Sequence, residues 1–136
     1  MKPIDEDFAK RHLEEYKASG EDELIPNTAV MSLDTFAVRK VQKKWKKQYI
    51  ALYKDSEKGG FLMYKDRNVS VLFNGGISLK NSNVYVPTGQ RRDHCLLIEP
   101  SPNAPGVKNF PVEEVIISFD TRYERDLWRD TIEKLR

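Results

Sequence analysis

The sequence predicts a mainly β protein with helices at both ends: seven short antiparallel strands forming a barrel or sandwich, preceded by a short N-terminal helix and followed by a C-terminal one. Three observations predict it. The hydrophobic period changes from helical to alternating after residue 27. Segments rich in β-branched and aromatic residues then follow one another, parted by turn-forming stretches such as DSEKGG, PTGQRRD and PSPNAPG. The last sixteen residues return to a helical stripe.

Residues 1–27 read as an acidic amphipathic helix and linker. Ile4, Phe8, Leu13 and Tyr16 fall near one face, Asp5, Glu6 and Asp7 suit the positive N-terminal end, and Gly20 is a stop. Pro26 breaks the pattern. Such a helix is expected to pack on the domain as a flap. Residues 28–136 form the domain itself. TAVMSLDTFAVRK, WKKQYIALYKD, GGFLMYKD, GGISLKNSNVYV, HCLLIEP and EEVIISFD supply the strands. TRYERDLWRDTIEKLR, residues 121–136, is the closing helix, with Leu127, Trp128, Ile132 and Leu135 on one side. Thr121 and Glu124 have the spacing of a capping box.

Composition limits the function. At 136 residues the chain fits one domain, with 39% hydrophobic and 32% charged residues. No apolar run approaches the roughly 18 residues that span a bilayer, and no segment resembles a signal peptide, so any membrane role is peripheral. The single cysteine, Cys95 in HCLLIEP, suits a reducing, cytoplasmic compartment and reads as a small buried apolar residue. Charge is uneven: residues 1–27 carry net −4 and the remainder net +6. A polyanionic partner suits the main body.

The order of elements, with a Trp in the middle of the last helix, is similar to the pleckstrin-homology (PH) domain. WKKQYIALYKD resembles that family's second strand, FLMYKD the third, GGISL the fourth, and ISFDTRYERDLWRDTIEKL the last strand and helix. Trp128, followed four residues later by Ile132, is the best anchor. The resemblance implies a PH-like seven-stranded antiparallel β-barrel or sandwich, capped at one end by the C-terminal α-helix and open at the other.

An open end explains the stretch RKVQKKWKKQ, residues 39–48, which places six cations beside the apolar strand YIALY. Alternation puts Lys46 and Gln48 on the phase of Ile50 and Leu52. An unpaired ammonium is too costly to bury, so Lys46 is expected to line the mouth. Lys40, Lys43 and Lys44 come from the first turn, and Lys65 and Arg67 close the third strand.

Headgroup-selective members resemble the pattern K-Xn-K/R-x-R, and here Gln48 stands in the arginine's place. Arginine grips phosphate with a planar fork, whereas glutamine offers one uncharged amide. Tyr64 matches the third-strand tyrosine that assists phosphate binding in such members. A site made mostly of lysine suits a phosphate monoester or a diffuse anionic surface, which favours phosphatidic acid slightly over a phosphoinositide. A weaker likeness, to acylated pleckstrin-homology-domain proteins of apicomplexan parasites, points to the same lipid. In NVSVLFNGG, Leu72 and Phe73, with Val69 and Val71, are either a strand end packed on the core or a loop tip that dips into lipid; Val41 is a smaller insertion candidate.

The expected partners are anionic membrane phospholipids. A protein partner docked on the PH-like scaffold is the alternative. Nucleic acid is disfavoured, because no regularly spaced aromatics flank the basic stretch. His12 and His94 are too few and isolated for a metal site or triad, no glycine-rich phosphate loop is present, and neither enzymatic activity nor a cofactor is expected.

Overall fold

The computed structural model describes residues 29–55, 59–67, 73–104, 106–107 and 110–136. The helix expected within residues 1–27, and Val69, Val71 and Leu72, lie outside the described residues.

Seven strands and one helix follow in order: β1 Ala29–Arg39, β2 Trp45–Asp55, β3 Gly59–Asp66, β4 Gly75–Ser78, β5 Asn83–Tyr85, β6 Cys95–Glu99, β7 Val115–Ser118 and α1 Arg122–Leu135. They form one antiparallel sheet in the order β4-β3-β2-β1-β7-β6-β5. Alternation is plain in β1, where Leu33, Thr35, Ala37 and Arg39 are buried and the residues between them are half-buried. Leu33, Ile50, Leu52, Leu62, Ile77, Leu96, Ile98, Val115 and Ile117 share one core although they come from strands spread across the whole sheet. A sheet whose distant strands bury the same face against one another must curl, which is the predicted barrel.

Strand β2 is buried on both faces over Tyr49–Tyr53, as the continuous apolar run YIALY requires. Ile50 and Leu52 lie opposite Tyr64 and Leu62 toward the interior. Tyr49, Ala51 and Tyr53 face outward with Phe61 and Met63. Their cover is the long β6–β7 connection, which lays Val107 and Phe110 on this face beside Phe73. The Phe73 ring stacks on Tyr49, with centroids 5.8 Å apart, and meets Tyr53 edge-on at 6.0 Å.

Helix α1 closes one end. Trp128 and Ile132 are buried, and the Trp128 ring lies 5.7 Å from Phe119. Leu127, expected on the same side, is instead 44% exposed: Trp128, Ile132 and Leu135 alone make the 4-3 spaced stripe that reaches the core. Thr121 caps the helix by accepting from the Glu124 N–H (3.1 Å), but the Glu124 carboxylate reaches back to the N–H of Asp120, one residue before the cap. The last turn sits directly on β3 because Gly60 has no side chain; a Cβ there would stand 2.7 Å from that of Leu135. Gly60 lies at the start of β3 and Asp66 at its end, so the mouth is at the opposite end of the barrel from the helix.

Candidate functional site

The mouth is framed by the β1–β2 hairpin, the β3–β4 connection and the β6–β7 connection. Register brings them together: Arg39 lies opposite Val115, and Gln48 opposite Asp66. The hairpin turn is closed by the N–H groups of Gln42 and Lys43, which both donate to the Arg39 carbonyl (3.0 and 2.8 Å). Lys43 takes the left-handed conformation there, with φ +58°. Gln42 tucks inward, donating to Asp66 Oδ2 at 2.8 Å. Lys40, Lys43, Lys44 and Lys46 are exposed, Lys46 at the rim on the inward phase opposite Ala37. None of the four pairs with a carboxylate among the described residues. Val41, at the tip, is 63% exposed.

Beneath the lysines the interior of the mouth is filled. Arg39, only 5% exposed, donates from Nε to Glu113 Oε1 (3.3 Å), from Nη1 to Asn74 Oδ1 (3.0 Å) and from Nη2 to the Asn74 carbonyl (3.0 Å). Its Nη1 lies 3.8 Å from Asp66 Oδ1. Its guanidinium lies over the Tyr64 ring, 4.7 Å from the centroid. Gln48 is fully buried, and its amide donates to Asp66 Oδ1. Gly75 permits this packing, because a Cβ there would overlap the Tyr64 ring and stand 2.8 Å from Arg39 Nη2. Burial, reinforced by Glu113, pushes the Tyr64 phenol well above its ordinary pKa, so it stays neutral.

Five of the expected residues lie apart from the exposed lysines. Gln48 and Tyr64 share the inward phase, as alternation requires, but both are sealed into the network and present no polar group at the surface. Lys65 lies on the outer phase opposite Tyr49 and is buried, so it does not join the rim. Arg67 is exposed but committed, with Nε 3.0 Å from Asp34 Oδ2. Of the two readings open for Phe73, the structure has the packed one: it lies in the outer cluster at 3% exposure, stacked on Tyr49. Cys95 is buried, with its thiol donating to the Arg92 carbonyl at 3.1 Å, and burial pushes its pKa up.

Sequence reasoning missed two groups of residues. Asp66 and Glu113 supply the carboxylates of the mouth, and nothing local marks them; Glu113 stands 74 positions from the arginine that it binds. On the outside of the hairpin, the Phe36 ring meets both Lys47 Nζ (4.8 Å) and the Arg92 guanidinium (4.0 Å), and Arg92 also reaches Trp45 at 6.0 Å. The dipeptide Arg91-Arg92 was visible as part of a turn, but only the fold lays that turn along β1 and β2.

The model of the PH domain family matches residues 31–136. Solved structures agree in fold. The C-terminal PH domain of human pleckstrin in solution superposes with a TM-score of 0.59 at 17% identity, covering 79% of this chain and 79% of that one. For the PH domain of ORP8 the TM-score is 0.53 at 15% identity, over 79% and 94% of the two chains. An activated truncation of Vav1 gives 0.59 at 14% identity over 95% of this chain, which matches 32% of that molecule. No curated protein sequence matches the chain. With the family match spanning most of its length, and with the strand order and helix-closed barrel described above, the chain belongs to the PH-domain family.

Proposed function

We propose that this PH domain is a cytoplasmic module that attaches peripherally to membranes by binding anionic phospholipid with the exposed lysines of its β1–β2 hairpin. PH domains are lipid- or protein-binding modules, and among the described residues no helix is long and apolar enough to cross a membrane. The observation that carries the reading is the hairpin itself. Lys40, Lys43, Lys44 and Lys46 are exposed around Val41 with no carboxylate partner among the described residues. Each cation near an anionic surface contributes about 1 kcal/mol, within a Debye length of about 8 Å at physiological salt. Lys47 and Arg92, spread over Phe36, widen the same basic surface.

Phosphatidic acid is slightly favoured over phosphoinositides, because lysine point charges meet a small exposed phosphate monoester well and no arginine fork is free inside the mouth. The test is sedimentation with vesicles of phosphatidic acid, phosphatidylserine or single phosphoinositides at matched total charge, with an oligonucleotide control. Binding to all anionic vesicles, highest for phosphatidic acid, is the expected result. Binding to the oligonucleotide alone would overturn the lipid reading. Absence of vesicle binding, with capture of a protein that survives reversal of the lysines, would make the domain a protein adaptor.

A further inference from the structure

We propose that Asp66 and Glu113 act as built-in substitutes for phosphate: together with Asn74 they engage the guanidinium and amide donors of the mouth, exclude polyphosphorylated headgroups from it, and confine anion binding to the exposed lysines. The proposal rests on the lipid reading above and specifies its selectivity. A guanidinium offers five N–H donors in a rigid fork, suited to paired anionic oxygens. In Arg39 all three nitrogens are engaged, by Glu113 Oε1, Asn74 Oδ1 and the Asn74 carbonyl, with Asp66 Oδ1 at 3.8 Å. The Tyr64 ring closes the remaining face.

Two further side-chain amides of the mouth point the same way. The amides of Gln42 and Gln48 both donate to Asp66, one to each carboxylate oxygen. Two carboxylates against one guanidinium leave the network with an excess negative charge, almost out of contact with water. An incoming phosphate would meet like charge at reduced dielectric screening and find no unused fork. Remove the carboxylates and the balance reverses, because a buried guanidinium without an anion is costly and any anion that reaches it is held strongly.

The test uses Asp66→Asn/Glu113→Gln, which keeps side-chain shape and removes charge. Soluble inositol 1,4,5-trisphosphate is titrated calorimetrically into the full chain, and vesicle affinity is measured for a trisphosphate-headgroup lipid and for phosphatidic acid at matched charge. The wild type is expected to give no heat with the soluble trisphosphate. The double variant is expected to bind it and to gain about tenfold or more on the phosphoinositide vesicles, with a smaller rise on phosphatidic acid. Equal rises on both vesicles, or no gain, would overturn the proposal.

Should the double variant fail to fold, Gln48→Arg and Gln48→Arg/Asp66→Asn decide. The first adds a guanidinium that Asp66 captures and gains nothing for the trisphosphate; the second gains. A gain in the first, or in neither, would overturn the proposal. The two readings fail separately. A wild type that ignores every anionic vesicle removes the lipid function, whereas a wild type that binds vesicles beside variants that gain no trisphosphate affinity removes only the role of the carboxylates.

Discussion

Gln48 shows what one residue can and cannot disclose. Its phase was legible, since alternation with Ile50 and Leu52 pointed it into the barrel, and the structure buries it completely. Its partner was not legible, because strand pairing selects Asp66 and no pattern within β2 encodes that choice. The same holds for Tyr64, whose position over a guanidinium depends on the bare backbone of Gly75. Gly75→Ala should therefore push the ring and Arg39 apart at the cost of about 1 to 3 kcal/mol, the usual range for overpacking. Urea unfolding measures this. An unchanged midpoint would show that the ring has room to move and that the packing of the mouth is looser than described.

At the scale of elements, the hairpin and the helix were legible and the long connection was not. Six cations in ten residues and a Trp-centred stripe are local signals, readable without knowing the fold. Val107 and Phe110, by contrast, are isolated apolar residues in a Pro- and Asn-containing stretch with no period, and only the aromatic outer face of β2 and β3 gives them a place. Phe73 fell to the same ambiguity, since a loop tip and a lid over a second apolar face share one sequence pattern.

The hairpin carries a test that separates charge from stability. Lys43 pays the left-handed penalty at φ +58°, which glycine avoids. Lys43→Gly should thus leave stability unchanged or raise it by up to about 1 kcal/mol, set against the added freedom of the unfolded chain. The same change should weaken vesicle binding about fivefold through the loss of one cation worth about 1 kcal/mol. Thermal melting and vesicle partition, measured on the same sample, check both. Loss of stability together with loss of binding would mean that the lysine acts through the turn's structure.

For the whole molecule, the barrel divides its charge between two places with different surroundings. Inside the mouth, Arg39 binds Glu113 and Asn74 beside Asp66, and this buried network links three connections that are distant in sequence. Outside, Lys40, Lys43, Lys44 and Lys46 remain solvated and uncommitted among the described residues. Exposed charges of this kind contribute little to folding, so they can be reversed without disturbing the barrel. The central claim is that these outer lysines hold the domain on anionic membranes, and Lys43→Glu/Lys44→Glu tests it most directly. Sedimentation with phosphatidic acid vesicles, run from low to physiological salt beside a thermal melt, should show binding that declines with salt for the wild type and is absent for the variant, with the melting temperatures nearly equal. A folded variant that still sediments at physiological salt would contradict the claim.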